Sequence, residues 1–254
     1  MPVKVTALVC AHNEESYIRK SLEAILRQTR PPTRIIVVAD RCTDSTVAIS
    51  KSILPGNSMV IEKQRSYWKN SYAENLEIGR KNAVGEILAI VDADIVVPPL
   101  FLDKIAASCK DSASVSSLVR TDPNQGLMNR LVSIWERSYL LTPLGQEPRG
   151  GARGVSMRAL ADVGGFRDVI APDTDLDMRL KEHGEKVKMD TSLVAVHLRK
   201  MSVKRSVFYQ IRAGEARRQL GVSPLRTLLH SIGRLRPFVL YGYMKTGPQR
   251  KLSR

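Results

Sequence analysis

The amino-acid sequence predicts an α/β fold in which a mostly parallel sheet is flanked by helices and followed by a basic helical extension. Apolar runs rich in β-branched residues alternate with amphipathic segments over the first hundred residues, which is typical of a parallel sheet with right-handed crossovers. The longest apolar run, at 87–97, is preceded by Gly85 and stopped by Pro98, as expected for a strand buried on both faces. With 254 residues, the chain can bury a sizeable core as one large domain or two small ones.

The elements of the first half follow this alternation in order. Strands are predicted at 3–9, 34–39, 59–62 and 87–97, and helices from 18 to the prolines at 31 and 32, after 43–44, and at 73–83. Ile18, Leu22 and Ile25 recur at helical spacing, which indicates the first helix. Thr43 or Asp44 is expected to cap the second helix, since both side chains can accept a hydrogen bond from a first-turn N–H.

The second half is less regular. Strands are predicted at 115–119 and 194–197, and helices at 127–141 and from Asp173 to near Gly184. The glycine-rich segment Gly150 to Gly154 is predicted to be a flexible loop that allows close backbone approach. Trp135 is expected either to pack in the core or to stack on a ligand.

The charge of the chain is unevenly distributed. Of the 40 Lys and Arg residues, 14 lie in residues 199–254, where Glu215 is the single acid; residues 1–198 hold 26 basic and 24 acidic residues. The formal net charge of +15 therefore belongs almost entirely to the tail. We predict a catalytic domain at 1–205 and a basic amphipathic extension at 206–254.

Cysteine spacing and hydropathy indicate in which cellular compartment the protein works. Cys10, Cys42 and Cys109 form neither a CxxC pair nor a metal-ligand spacing, which favours a reduced, cytosolic protein. No stretch reaches the roughly 20 apolar residues of a membrane-spanning helix, and the apolar N-terminus is too short for a signal peptide. Nucleic acid is an unlikely partner, because no helix-turn-helix, zinc-finger or RNA-recognition signature accompanies the basic tail.

Asp92-Ala93-Asp94 lies within the longest apolar run. Burying two carboxylates there is costly unless a positive group lies beside them. On an extended backbone, alternate side chains share one face, which would suit a divalent cation held by oxygen ligands together with phosphate. The alternative is a pair of aspartates that cap or close a turn. Polar residues also follow the first two strands, at 12–14 and at Asp40, and the carboxyl ends of parallel strands bind ligands in such sheets.

Taken in order, these motifs resemble a family 2 glycosyltransferase with the GT-A fold, a Rossmann-like architecture, over roughly residues 3–198. The matching pieces are Ala11-His12-Asn13-Glu14, the segment 36–46, Asp92-Ala93-Asp94 (the DXD motif), Val163-Gly164-Gly165-Phe166, and Asp173-Thr174-Asp175-Leu176 with Arg179-Leu180. The resemblance implies an inverting transferase that uses a nucleotide-diphosphate sugar, most commonly linked to UDP or GDP, and a Mn²⁺ or Mg²⁺ ion.

The resemblance also implies roles for individual residues. The nucleotide-binding set would be Ala11, Asn13, Glu14, Asp40, Asp92 and Ala93, with Asp40 on the base and Asp92 facing the ribose and the metal. The metal ligands would be Asp94, Asp92 and His197, and the general base would be Asp173. From the residues alone, the alternatives are a core histidine for His197 and a helix N-cap for Asp173. Arg149 and Arg153 are expected to contact a diphosphate or phosphorylated acceptor, or to be solvated.

Two positions depart from the family pattern. Ala39-Asp40 and Pro172-Asp173 stand where the family commonly has two acidic residues, so base recognition rests on Asp40 alone and Asp173 lacks its acidic neighbour. Pro172 is the feature that favours the alternative function: an inactive nucleotide-binding module docked on a membrane or nucleic acid through its tail. A sugar nucleotidyltransferase is disfavoured, because the segment 10–14 contains no glycine.

The tail predicts a membrane partner. Apolar residues recur at helical spacing among arginines between 225 and 236, followed by the aromatic segment 237–244. Such basic amphipathic helices bind membrane surfaces, and each Lys or Arg near an anionic bilayer contributes about 1 kcal/mol. We therefore expect a peripheral enzyme on the cytoplasmic membrane face that acts on a lipid-linked or polysaccharide acceptor, through an acceptor hydroxyl or a lipid phosphate. Alternatively, the apolar face of the tail packs on the catalytic body.

Overall fold

The computed structural model of the protein describes residues 3–138 and 150–246. The strands are β1 (Val5–Ala11), β2 (Arg34–Asp40), β3 (Met59–Lys63), β4 (Ile87–Val91), β5 (Ile95–Val96), β6 (Ser114–Thr121), β7 (Ala152–Ser156) and β8 (Val187–His197). The helices are α1 (Ile18–Leu26), α2 (Thr46–Ile53), α3 (Ser71–Asn82), α4 (Phe101–Ser108), α5 (Leu127–Ser138), α6 (Met157–Asp162), α7 (Pro172–Glu182), α8 (Val203–Gln219), α9 (Pro224–Gly233) and α10 (Pro237–Lys245).

In the described part of the chain, these strands form one sheet in the order β3-β2-β1-β4-β7-β6-β8-β5. The first four strands of the chain pair in parallel, β7 runs antiparallel to β4 and β6, and β8 runs parallel to β6. The predicted α/β fold with a mostly parallel sheet flanked by helices is confirmed.

Both faces of the sheet are covered, which explains the continuous apolar runs. Along β1, Val5, Ala7 and Val9 face one core cluster, which includes α1 and α4, and Leu8 and Cys10 face the other, which includes α3 and α7. Because side chains alternate along a strand, a strand covered on both faces needs apolar residues at every position.

The predicted strand at 87–97 is divided in two. β4 ends at Val91, and a turn at Asp92–Asp94, closed by the hydrogen bond from Ile95 N to Asp92 O (3.0 Å), leads into β5. The expectation of an extended Asp-x-Asp backbone is therefore wrong. The chain turns because β4 pairs with β1 and β7, whereas β5 pairs with β8 at the far edge of the sheet.

The glycine-rich segment is not a flexible loop. Residues from Ala152 form β7, which lies between β4 and β6. A Cβ at Gly154 would lie 2.1 Å from Cγ2 of Ile105, so this glycine lets α4 pack on the sheet. The glycine is needed for close packing, and the sequence alone does not distinguish such a glycine from one in a flexible loop.

Some element boundaries differ from the predicted ones. Ser45 is the N-cap residue of α2, although Asp44 Oδ1 accepts a hydrogen bond from Thr46 N (3.0 Å). The last strand begins at Val187 and pairs with β6 along its length, which places His197 opposite Thr121. For the helix predicted at 127–141, residues 139–141 lie outside the described residues.

The C-terminal helices pack against one another through glycines. A Cβ at Gly214 on α8 would lie 2.0 Å from the carbonyl oxygen of Val239, and one at Gly242 on α10 would lie 2.1 Å from that of Ile211. The proposed domain boundary at 205/206 falls inside α8, and the division stays a prediction. None of the described helices is long and apolar enough to cross a membrane.

Candidate active site

A first cavity of about 560 Å³ lies at the carboxyl ends of the parallel strands, and we call it the donor cavity. Seven residues that the resemblance assigns to the nucleotide or the metal line it: Ala11, Glu14, Asp40, Asp92, Ala93, Asp94 and His197. Parallel strands bring these positions together although they are distant in sequence.

Asn13 is not among the residues that line the donor cavity. It has a left-handed backbone (φ 55°), and its Oδ1 accepts a hydrogen bond from Thr43 N (2.8 Å). Asparagine tolerates this conformation better than most residues do. In this structure Asn13 orders the loop between β2 and α2, next to the cavity wall.

Asp40 lies at the end of β2 with its carboxylate surrounded by donors. Arg41 Nε donates to it at 2.8 Å, Ser71 Oγ and Asn75 Nδ2 also donate to it, and Lys63 Nζ lies 3.4 Å away. Burial alone raises the pKa of Asp40, but the hydrogen bonds from Arg41 and Ser71 and the charge of Lys63 lower it to about 2. These donors keep the carboxylate ionised, and most of them bond to one of its oxygens, Oδ2.

Asp92 lies at the floor of the donor cavity. Its Oδ1 accepts a hydrogen bond from the hydroxyl of Tyr72 (3.0 Å), and its backbone N–H donates to Gly151 O (2.7 Å). Burial, followed by the negative charges of Asp94 and Asp173, raises the pKa of Asp92 to about 7. Three carboxylates therefore share this region, which favours the arrival of a positive group.

Asp94 and Glu14 are bridged by Arg199. Nε of Arg199 lies 2.5 Å from Asp94 Oδ2, and its Nη2 donates to Glu14 Oε1. His197 Nε2 lies 3.0 Å from the same Asp94 oxygen. Burial raises the pKa of Asp94, but its bonds with His197 and Arg199 outweigh burial and lower it. His197 lines the cavity wall and is not a core histidine.

The donor atoms here fit a divalent cation of the Mn²⁺ or Mg²⁺ class, which prefers carboxylate oxygens and, for Mn²⁺, accepts imidazole. Asp94 and His197 present such atoms side by side, and Oε2 of Glu14 is buried without a hydrogen-bond partner. Across residues 3–138 and 150–246, no three Asp, Glu, His or Cys side chains are assembled to hold an ion. An ion at this position would have few protein ligands, and Arg199 would have to release Asp94.

Asp173 lies in the first turn of α7, half-buried, where it borders Gly150. A Cβ at Gly150 would lie 1.9 Å from Asp173 Oδ2, so the glycine backbone passes directly beside the carboxylate. The N-cap position belongs to Ala171, and Pro172 occupies the first helical position, where its fixed φ suits a helix start. Burial raises the pKa of Asp173, the charge of Arg153 lowers it, and Asp177 raises it again, with a net increase.

Arg153 is a structural residue here, so both expectations for it were wrong. It is 1% exposed, forms an ion pair with Asp177, and donates hydrogen bonds to Ser114 Oγ and to the backbone oxygen of Asp173 (3.4 Å). A buried arginine needs such partners, and these hold the first turn of α7 against the sheet. Arg149 lies outside the described residues.

A second cavity of about 650 Å³ lies between the sheet and the C-terminal helices, and we call it the arginine cavity. Asp173, Gly150 and Trp135 line it, together with Arg217, Arg226, Arg234 and Arg236. His197 and Tyr209 line both cavities, so the two adjoin. Trp135 lies beneath the guanidinium of Arg236, with 5.9 Å between Cζ and the ring centroid, at the cavity wall rather than in the core.

Arg199 and Tyr72 are among the side chains of the donor cavity that sequence reasoning missed. Arg199 follows His197 by two residues, and this spacing on an extended segment places both on one side, which was an available signal. Tyr72 offered no comparable signal, because only the packing of α3 on the sheet brings its hydroxyl to Asp92.

Comparison with known sequences gives consistent findings. The model of the family described as Glycosyl transferase family 2 matches residues 6–159. An uncharacterized glycosyltransferase of Haemophilus influenzae is 29% identical over 118 residues, which are 45% of this chain and 35% of that protein. Glycosyltransferase GlyA of Streptococcus pneumoniae is 32% identical over 91 residues, or 36% of this chain and 13% of that protein. The chain thus matches about a third or less of these relatives' lengths.

Solved structures share the fold. A mannosyltransferase of Pyrobaculum calidifontis, PcManGT, in complex with GDP-Man and Mn²⁺, aligns with a TM-score of 0.65 and 21% identity over 96% of this chain and 74% of that chain. The structure of TarS residues 1–349 from S. aureus aligns with a TM-score of 0.56 and 17% identity over 95% and 91% of the two chains. At these identities the likeness establishes the GT-A architecture and nothing finer.

Proposed function

The chain belongs to glycosyl transferase family 2, and we propose that it transfers a sugar from a nucleotide-diphosphate sugar to an acceptor hydroxyl with inversion at the anomeric carbon. The observation that supports this most directly is the position of Asp173. Its carboxylate lines the arginine cavity and lies close enough to Asp92, in the donor cavity, for each charge to act on the other. A donor and an acceptor in the two cavities would meet beside Asp173.

In the proposed reaction, Asp173 accepts the proton of the acceptor hydroxyl as the oxygen forms a bond to the anomeric carbon. The bond from that carbon to the diphosphate breaks, and its electron pair leaves with the nucleoside diphosphate. Burial raises the pKa of Asp173, which makes its carboxylate a better proton acceptor than that of an ordinary aspartate. Attack from the face opposite the leaving group inverts the configuration, so one carboxylate base is sufficient.

In the donor cavity, we propose that Asp40 contacts the base, Asp92 contacts the ribose, and Ala11, Asn13, Glu14 and Ala93 shape the nucleotide site. Asp94 and His197, with Asp92 nearby, would hold a Mn²⁺ or Mg²⁺ ion, which would supply positive charge to the leaving diphosphate. Once released from Asp94, the guanidinium of Arg199 can pair with a phosphate, because its planar donors match phosphate oxygens.

The donor nucleotide is proposed to be linked to UDP or GDP. GDP-Man is bound in the Pyrobaculum calidifontis structure, and UDP is bound in a second TarS structure, which shares the fold at 15% identity. A screen of UDP- and GDP-sugars by calorimetry, with and without Mn²⁺, tests the donor and the cation together. We expect Mn²⁺ to tighten binding to the wild type and to have a much smaller effect on Asp94→Asn. Binding of equal affinity with and without Mn²⁺ would instead indicate a metal-independent site.

The role of Asp173 is tested by turnover. We expect Asp173→Asn to lower the rate of nucleoside diphosphate release about 100- to 10,000-fold, the range for loss of a general base, with donor affinity retained. Asp162→Asn, at an exposed position outside both cavities, is the matched control. Wild-type rates in Asp173→Asn would refute the assignment, and equal loss in the control would point to a general effect of the substitution.

We propose that the enzyme associates peripherally with the cytoplasmic membrane surface. Two helices that both contribute to the wall of the arginine cavity support this: α5 exposes Leu127 (75%) and Ile134 (64%), and α9 exposes Leu225 (65%) and Ile232 (65%). Exposed apolar residues next to many basic side chains are typical of proteins that bind anionic bilayers.

Sedimentation with vesicles tests this placement. Replacing Leu225 and Ile232 together by Ser is expected to weaken binding to anionic vesicles about tenfold or more, since each buried apolar side chain contributes roughly 1.5–3 kcal/mol. The control is Leu100→Ser, which changes an exposed leucine (51%) at the N-cap of α4. Equal sedimentation of the double variant and the control would overturn the membrane proposal.

A further inference from the structure

The arginine cavity has a chemical character that the donor cavity lacks. Among the described residues that line it, four are arginines contributed by the C-terminal helices: Arg217 by α8, Arg226 by α9, and Arg234 and Arg236 by the segment between α9 and α10. The acids among them are Asp173 and Glu136. Both carboxylate oxygens of Glu136 are engaged by Thr121, one by the backbone N–H and one by the hydroxyl, each at 2.9 Å.

The pKa of His230 is lowered by burial and by the positive charge of these arginines. His230 lies on α9 in the cavity wall, and its Nδ1 is buried without a hydrogen-bond partner. Burial, and then the charges of Arg217, Arg236, Arg234 and Arg226, lower the pKa of His230 to about 4. The four guanidinium groups therefore act on one small region, which a multiply charged anion could occupy.

The mouth of the arginine cavity adjoins an apolar surface. Leu229 lines the cavity and is 60% exposed, and Leu225 and Ile232 continue the exposed side of α9. On α5, Leu131 (54%) and Ile134 (64%) are exposed as well. A ligand with a charged group in the cavity and a hydrocarbon chain outside it would contact both kinds of surface.

Resting on the proposed function, we propose that the arginine cavity binds the acceptor and that this acceptor carries a phosphate group held by Arg217, Arg226, Arg234 and Arg236. A hydroxyl of the same molecule reaches Asp173, which takes its proton as that oxygen bonds to the anomeric carbon of the donor. Guanidinium groups bind phosphate through paired, charge-assisted hydrogen bonds, which accounts for arginine at all four positions. The phosphate belongs either to a lipid, whose chain lies along α5 and α9, or to a soluble sugar phosphate.

Binding to the full-length protein can be measured without any turnover. Trp135 in the cavity wall provides a fluorescence signal in a Trp68→Phe background. The probes are dioctanoyl phosphatidylinositol below its micellar concentration, glucose 1-phosphate, and octyl glucoside, which has hydroxyls and a chain but no phosphate. We expect both phosphate probes to bind more tightly than octyl glucoside. Tighter binding of the phosphatidylinositol than of glucose 1-phosphate identifies a lipid-borne acceptor, and equal or weaker binding identifies a soluble one.

Variants connect the signal to the arginines. Arg226→Gln changes an exposed side chain, so the fold should persist, and we expect about tenfold weaker binding of the phosphate probes. Arg217→Gln should have a similar effect, whereas Arg212→Gln, on the exposed side of α8 and paired with Glu215, should have none. Octyl glucoside binding as tightly as the phosphate probes, or unchanged phosphate binding in both cavity variants, would overturn the proposal.

The binding test of the arginine cavity does not depend on the identity of the sugar donor. If the protein binds a nucleotide-diphosphate sugar but no phosphate probe, the acceptor proposal fails and the proposed function stands. If it binds the phosphate probes but no nucleotide-diphosphate sugar, the proposed function fails and the arginine cavity remains an anion-binding site.

Discussion

Helices α1 and α9 bury opposite kinds of residue. On α1, Ile18, Leu22 and Ile25 are at most 1% exposed and pack against the sheet. On α9, the buried positions are Thr227 and Ser231, whereas the leucines and isoleucine face outward. Both helices are amphipathic in sequence, so the difference lies in what each apolar face meets.

The two parts of the molecule therefore differ in whether their apolar side chains are buried within the protein. The sheet and its first helices complete their own core, and their charges are close to balance. The C-terminal helices α8–α10 leave apolar side chains in water, which is unfavourable unless another surface covers them. They also carry most of the net charge, so a negatively charged, apolar partner such as a bilayer satisfies both properties.

The largest expected effect tests the contrast with matched leucines. Leu22→Ala should lower the free energy of unfolding by about 2–5 kcal/mol, because it leaves a cavity in the core. Leu225→Ala, at a position 65% exposed, should change it by less than about 0.5 kcal/mol. Urea denaturation of both variants gives the comparison. A large loss of stability in Leu225→Ala would mean that α9 is covered by the protein's own core.

A smaller effect concerns how the C-terminal helices hold together. Gly242→Ala should destabilise the packing of α10 on α8 by up to about 3 kcal/mol, because the new methyl meets the backbone of Ile211. Gly233→Ala, where a Cβ would meet nothing within 4 Å, is the control. Hydrogen exchange of α8 and α10 should rise in the first variant alone. Unchanged exchange would show that the contact between α8 and α10 accommodates the methyl group.

The smallest expected effect is a pH dependence of the folding stability, which Asp40 causes at the end of β2. With its pKa lowered to about 2, Asp40 stabilises the fold above the unfolded-state value near 4, and this contribution disappears as the pH falls towards 2. Relative to Asp40→Asn, the wild type should be more stable by about 2 kcal/mol at pH 6, with the difference shrinking below pH 4. Denaturant unfolding between pH 3 and 6 measures this. A difference that is constant with pH would refute the shifted pKa.

Much of the sheet region could be predicted from sequence because its signals are local. Continuous apolar runs located β1, β2 and β4, and helical spacing located α1, while the family resemblance located seven of the residues that line the donor cavity. The fold class was predictable because apolar runs and amphipathic segments alternate along the chain, and the family was predictable because five motifs follow one another in the family's order and spacing.

The rest depended on packing between distant segments. Nothing local distinguishes Gly154, which is a glycine because Ile105 packs against it, from a glycine in a loop. Arg153 was expected near a ligand or in solvent, and only the positions of Asp177 and Ser114 make it a buried support. The arginine cavity draws its charges from α8, α9 and the segment between α9 and α10, so no single sequence motif predicts it.

The central claim is that one carboxylate, Asp173, acts alone as the base where the donor cavity meets the arginine cavity. The most direct test is the anomeric configuration of the product, followed by NMR during turnover of whichever donor the protein accepts. We expect a product inverted relative to the donor, because a single displacement is assisted by a single base. Retention of configuration would contradict the claim.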